Sequence, residues 1–212
     1  IEAINAAGQE LVHIEAETGT NRTGMTIPFY RKALTFLKEH EEHIAFQGLC
    51  THLGGAETLA NRFRIDHQIE RYKEFLAIAK KRKFMPKLRH ISCSASALSM
   101  PDTHLDMVRV GIATYGFWPS PDIYYQHLQQ VGKTKDSPLR RIFSWKTDVM
   151  DIKVVPKGEF IGYGTAYQAT SEKHIAVIPL GYSNGYPRGE SNRGYVLIHG
   201  RKARILGLIN MN

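Results

Sequence analysis

The feature that most constrains this chain is an alternation in its first half. Short apolar runs take turns with amphipathic stretches long enough for helices. "LVHIEAE" (11–17) reads as a strand. "TIPFYRKALTFLKEH" (26–40) reads as a helix, with Thr26 as N-cap and Pro28 in its first turn. "HIAFQGLC" (43–50) is strand-like. "AETLANRFRIDHQIERYKEFLAIAKK" (56–81) is helical, with Ile65, Ile69, Tyr72 and Leu76 on one face at three-to-four spacing. "LRHISCS" (88–94) is a third strand with a short helical stretch from Ala95 to Met100 behind it, and "MVRVGIATYG" (107–116) is a fourth. Strand–helix repetition of this kind predicts a parallel α/β sheet with right-handed crossovers.

In such a sheet the carboxyl ends of the strands gather on one rim, and sites are built there. The polar candidates fall at those ends. Arg22 and His52 follow the first and second strands, Ser94 follows the third, and Arg109 and Gly111 lie in or near the fourth. Several elements delivering polar groups to one rim weigh more than any single motif.

Residues 119–141 carry Pro, Gly and charge without a clear period and read as a connection. From 142 the pattern changes to short β-rich runs separated by Pro/Gly/Asn turns, which predicts a mostly β domain over 142–212. An eight-unit barrel needs about 250 residues, whereas residues 1–118 hold only four strand–helix units. The first part is therefore expected to be an open sheet or the second half of a (β/α)8 barrel. The chain lacks an initiator Met and is expected to be a piece of something longer.

The formal charge of +8 raises nucleic acid as a partner. The dense cluster Lys80-Lys81-Arg82-Lys83 closes a helix, where cations oppose the helix dipole favourably, so no nucleic acid is expected. A small phosphate-bearing ligand also suits a basic protein. No run of eighteen apolar residues exists, and the start has neither a basic nor an apolar leader region, so no membrane segment and no signal peptide are expected. The two cysteines, Cys50 and Cys93, lack Cys-x-x-Cys spacing and read as buried reduced thiols of a cytoplasmic protein. The ten histidines show no His-x-x-x-His pairing, which leaves a metal site without support.

Taken in order, "ETGTNRTG", "CTHLGGAE", "HISCSASAL", "VRVGIATYG", "IGYGTAY", "IPLGYSNGYPR" and "LINMN" resemble the alanine racemase family over nearly the whole chain. The resemblance implies a homodimeric isomerase dependent on pyridoxal phosphate (PLP), built as a (β/α)8 barrel followed by a β domain. It implies interconversion of L- and D-alanine, supplying D-alanine for peptidoglycan.

The same resemblance assigns roles. Arg22 falls where the family's arginine binds the substrate carboxylate, a task suited to a guanidinium fork; alone, it would read as a surface arginine. His52 matches a histidine near the cofactor ring. Ser94, Gly111 and Ile112 match positions that bind the PLP phosphate, and Ser94 reads equally as a helix N-cap. Arg109 matches the arginine facing the pyridine nitrogen. An arginine keeps its protons, so the ring nitrogen opposite it stays unprotonated. Tyr163 matches the tyrosine that exchanges the α-proton on one face, and in the family it reaches the other subunit's site. A phenol must have its pKa lowered to act as a base at neutral pH. Met211 matches the residue whose backbone N–H contacts the substrate carboxylate, and Tyr182 another tyrosine near the entrance.

There are departures. The family's Schiff-base lysine, in an Ala-Tyr-Gly context, has no counterpart here, so the isolated segment is expected to be inactive. Glu15 stands where many members carry a carbamylated lysine, and it is expected to pair with Arg22. Thr20, Cys93, Val110, Asn184 and Asn212 also differ from the usual Met, Asn, Pro, Asp and Asp, the last two bearing on substrate range. The other readings are a broader-specificity amino-acid racemase, a fold-type III PLP decarboxylase, and a non-catalytic PLP- or amino-acid-binding module. "GYGTAY" and "GYSNGY" favour the racemase.

Overall fold

The structure, a computed structural model, describes residues 10–131 and 137–212. The chain divides into two compact units between Phe143 and Ser144.

The first unit is α/β. Strands β1 (Glu10–Glu15), β2 (Ile44–Cys50) and β3 (Leu88–His90) form a parallel sheet in the order β1-β2-β3. Helix α1 (Ile27–Glu39) joins β1 to β2, and helix α2 (Arg62–Lys81) joins β2 to β3. Thr26 sits at the N-cap of α1 with extended backbone, but its side chain makes no capping bond. The helix start rests instead on Pro28, whose missing N–H is no loss in a first turn.

The apolar periodicities meet between sheet and helices. Tyr30, Leu34 and Leu37 of α1 are buried, as are Ile65, Tyr72, Phe75 and Ala79 of α2. Tyr30 and Phe75 pack with ring centroids 5.0 Å apart. Larger side chains such as Leu34, Ile65 and Phe75 each contribute about 1.5–3 kcal/mol by leaving water. Ile69 and Leu76, expected on the inward face, pack only at its margin. Tyr72 satisfies its buried hydroxyl by donating to the Leu49 carbonyl at 2.7 Å. Central β2 is the most enclosed strand, with Ile44, Phe46, Gly48 and Leu49 all buried.

The pairing of β1 with β2 slips once. Val12 lies opposite Phe46, but His13 lies opposite Gly48, so Gln47 is skipped in a bulge. The His13 imidazole occupies the space above Gly48, where an added Cβ would overlap the ring.

The expected strand over 107–116 is absent. The Asp106 N–H donates to Arg89 O at 3.1 Å and the Arg109 N–H to Ser92 O at 3.0 Å, and no ladder forms. The segment instead ends at Gly111 in a 3-10 turn over Ile112–Tyr115. Behind β3, helix α3 spans Ser94–Ser99. The stretch 119–141, expected as a plain connection, contains helix α4 (Pro121–Val131), and the rest of it in part lies outside the described residues. Ser120 caps α4, its hydroxyl accepting from the Ile123 N–H at 3.2 Å.

The second unit is β-rich. Strands β4 (Asp151–Val155) and β5 (Lys173–Val177) pair antiparallel, as do β6 (Tyr195–Ile198) and β7 (Arg201–Arg204). Cys50 and Cys93 are free thiols, half-buried rather than buried. No helix among the described residues is long and apolar enough to cross a membrane.

Candidate active site

The rim at the carboxyl ends of β1, β2 and β3 is built from buried hydroxyls. Thr18 and Thr51, both about 1% exposed, share a hydrogen bond of 2.7 Å, and the Thr51 hydroxyl also reaches Ala16 O at 2.9 Å. Burying a hydroxyl without a partner costs free energy, which this pairing avoids. The two hydroxyls fix the loops that follow β1 and β2 against each other.

The loop after β1 carries Arg22. Glu17 folds it by accepting from the N–H groups of Gly19 (2.5 Å) and Asn21 (3.0 Å). At Gly24 the chain takes φ of +109°, and a Cβ there would lie 2.9 Å from the Glu17 backbone nitrogen, so only glycine fits. Arg22 itself is exposed, with its guanidinium unpaired among the described residues. The expected Arg22–Glu15 pair is not formed. Glu15 instead accepts from the Thr23 hydroxyl at 2.8 Å, because the turn brings that hydroxyl back over the strand end.

The loop after β2 carries His52. Its carbonyl accepts from the Thr20 hydroxyl at 2.8 Å, linking the two loops. Gln68, on the apolar face of α2 and 1% exposed, clamps the same loop from below. Its amide accepts from the Gly54 N–H at 2.9 Å and donates to Gly54 O at 3.0 Å. The sequence reading passed over Gln68, although a polar residue in phase with Ile65, Tyr72 and Phe75 was the available signal. The His52 pKa is pushed below the ordinary histidine range by burial first, then by the cations Arg22 and Arg109. These two arginines make the rim electropositive.

Arg109 is held by three acceptors. One terminal nitrogen donates to His90 O at 3.0 Å and to His90 Nδ1, and the other donates to Thr51 O at 2.7 Å. His90 is 4% exposed, and its pKa falls to about 4, through burial first, then Arg109 and His13. Burial raises the pKa of the Cys50 thiol against the opposing pull of Arg109. The partners of Arg109 are thus two carbonyls and an imidazole.

Ser94 is the first residue of α3 and not its cap, which is Cys93. Its hydroxyl oxygen accepts from the Gly111 N–H at 2.8 Å. This leaves the hydroxyl proton free to point elsewhere. A Cβ added at Gly111 would meet only that oxygen within 4 Å, at 3.9 Å, so the space before Ser94 is open. Ile112 follows as the first residue of the 3-10 turn, where N–H groups lack partners within the turn. Arg22, His52, Ser94, Arg109, Gly111 and Ile112 thus belong to one rim of the first unit.

Tyr163 and Met211 belong to the second unit. Tyr163 sits between Gly162 and Gly164, both at positive φ, and is 73% exposed. Its loop is closed at the base by the Ile161 N–H donating to Tyr167 O at 2.9 Å. The Met211 carbonyl accepts from the Ser183 N–H at 2.9 Å and from the Ser183 hydroxyl at 2.5 Å. Tyr182 opens the adjoining 3-10 turn, where Asn184 Oδ1 accepts from the Gly181 N–H at 3.0 Å. The amide oxygen of Asn184 therefore closes the turn as a carboxylate oxygen would. No cluster of three or more His, Cys, Asp or Glu side chains able to hold a metal occurs among the described residues.

Two family models match the chain: the alanine racemase N-terminal domain over residues 1–119 and the alanine racemase C-terminal domain over residues 142–212. The chain belongs to the alanine racemase family. An alanine racemase of Leptospira interrogans is 34% identical over 201 residues, which is 95% of this chain and 51% of that protein. The alanine racemase structure from Streptomyces coelicolor superposes with a TM-score of 0.85 at 33% identity, covering 99% of this chain and 54% of that one. The Bacillus anthracis enzyme, solved with bound L-Ala-P, gives 0.80 at 30% identity, covering 99% and 53%. The chain spans about half the length of the relatives it matches. Its α/β and β-rich units are those of the alanine racemase fold, a TIM barrel with a β domain in these neighbours.

Proposed function

We propose that the protein carrying this chain is a PLP-dependent alanine racemase that supplies D-alanine for peptidoglycan, and that this segment provides half of its barrel and part of its β domain. The observation that supports this best is Arg109, a donor-only cation wired to three acceptors at the rim. A group with no lone pair and no removable proton can only face an acceptor. That suits an unprotonated pyridine nitrogen.

The donor set fits the cofactor. The Ser94 hydroxyl proton and the N–H of Ile112 offer hydrogen bonds to a phosphate, and Gly111 keeps the approach open. The Gly111 N–H is already used by Ser94, so the role of Gly111 is clearance rather than donation. Bound PLP supplies an electron sink that acidifies the α-hydrogen of an attached amino acid. Arg109 weakens that sink by leaving the ring nitrogen neutral, which limits side reactions. His52, held uncharged by burial and two arginines, offers a flat face to the ring without adding a third cation. Arg22, exposed on a folded loop and unpaired among the described residues, holds the substrate carboxylate.

Tyr163, at the tip of a glycine-flanked loop, takes the α-proton on one face from a second subunit's position, which makes the working protein a homodimer. The N–H of Met211 adds a donor to the substrate carboxylate. The lysine for the opposite face has no counterpart in this chain, so the segment alone is inactive. The free thiols accord with a cytoplasmic location.

The test is a coupled D-alanine assay. The full-length protein is expected to interconvert alanine enantiomers with added PLP, and the 212-residue segment is expected not to. A full-length protein without PLP-dependent turnover overturns the proposal.

A further inference from the structure

The acceptor that holds Arg109 is itself held. The guanidinium only donates, so His90 Nδ1 must present a lone pair to it. A neutral His90 then carries its proton on Nε2. That nitrogen lies 2.7 Å from His13 Nδ1, so His13 accepts and its own proton sits on Nε2. The two rings lie 4.9 Å apart, tilted by 57°. The hydrogen-bond directions therefore run one way, from His90 to His13 and from Arg109 to His90. Arg109 settles the His90 tautomer; His13 settles the ring's orientation by receiving the proton on its far side.

His13 reaches this place through two features of the backbone. The bulge that skips Gln47 puts His13 opposite Gly48. The missing side chain at Gly48 leaves room for the imidazole. In this segment His13 is exposed and lies outside the hydrophobic core, so its place over Gly48 is not one of the core's contacts.

We propose that His13, seated over Gly48, is a positioning residue for Arg109, acting through the His90 ring. This rests on the reading that Arg109 serves the active site, but the relay itself can be tested without turnover. The measurement is 15N NMR of the histidine rings and the arginine side chains in the full-length protein without cofactor. His90 is expected to show a bare Nδ1 and a protonated Nε2, and His13 a bare Nδ1. His13→Phe, which keeps a ring but no acceptor, is expected to broaden the Arg109 guanidinium resonances. His13→Gln, whose amide oxygen can accept, is expected to restore them. Gly48→Ala, which displaces the ring, is expected to act like His13→Phe.

In the loaded enzyme His13→Phe should lower kcat about tenfold with little change in KM, the order expected from one lost hydrogen bond. A His90 protonated on Nδ1 in the wild-type protein overturns the proposal, whatever the variants do. So does a His13→Phe protein whose Arg109 resonances match the wild type. If the resonances respond but Arg109→Lys races like the wild type, the relay stands and the assigned role of Arg109 fails.

Discussion

The Gly111 N–H donates to the Ser94 hydroxyl at 2.8 Å, tying the first turn of α3 to the 3-10 turn that replaces the expected fourth strand. One hydroxyl thus closes the rim on one side and leaves its proton free on the other.

Removing that hydroxyl should have two separable effects. Ser94→Ala leaves the Gly111 N–H without its partner and should lower stability by about 1–2 kcal/mol. It also deletes one donor to the phosphate and should weaken PLP binding about tenfold, the equivalent of one hydrogen bond. Urea denaturation without PLP reports the first effect, and absorbance titration with PLP the second.

Arg109→Lys keeps the charge and loses the fork. A single ammonium cannot serve His90 Nδ1, His90 O and Thr51 O together. The expected cost is about 2 kcal/mol of stability, with kcat falling more than KM rises. Thermal unfolding beside racemisation kinetics gives both numbers.

Arg22 should behave in the opposite way. It is exposed and contributes no ion pair among the described residues, so Arg22→Ala should change stability by less than about 0.5 kcal/mol. Its loss should appear as a raised KM for alanine, on the order of tenfold or more. A variant with unchanged KM would remove Arg22 from the substrate site. Gly24→Ala should show both defects at once, because the added carbon meets the Glu17 backbone and shifts the Arg22 loop.

His90 makes stability depend on pH. Its folded pKa of about 4 lies below the ordinary value of 6.5, so the unfolded chain takes the proton first as pH falls. Stability is therefore full above about pH 6.5, declines as pH drops, and reaches its full loss near pH 4; the shift corresponds to roughly 3 kcal/mol. His90→Asn, which does not titrate, should flatten this decline between pH 6.5 and 4 in urea melts.

Much of the first unit could be read from periodicity. Strands β1 to β3 and helices α1 and α2 lie where the apolar runs marked them, although in α2 it is Phe75 and Ala79, rather than the expected Ile69 and Leu76, that are buried with Ile65 and Tyr72. The fourth strand was misread because "VRV" alternates like a strand but finds only isolated hydrogen bonds to the chain beside it. Helix α4 was missed although Ser120-Pro121-Asp122 is a helix start: a capping hydroxyl, a proline in the first turn and an early acid. The Glu15–Arg22 pair failed for a different reason. It was expected because Glu15 stands where the family carries a carbamylated lysine, but the turn at Gly24 brings the Thr23 hydroxyl to Glu15 instead. Gln68 was marked by its phase with Ile65, Tyr72 and Phe75, but its partner Gly54 was not, and His13 lay beyond pattern reading because only the folded chain brings it over Gly48.

Two of the three acceptors that hold Arg109 are main-chain carbonyls, at Thr51 and His90. Every amino acid carries such an atom, so the arginine is indifferent to which side chain stands at position 51. Gly48 touches no part of Arg109, yet what it contributes is an empty space, which no other residue can supply. In a library of all single substitutions, the strict position should be Gly48, three residues earlier on β2, and position 51 should be lenient as far as the arginine's placement is concerned.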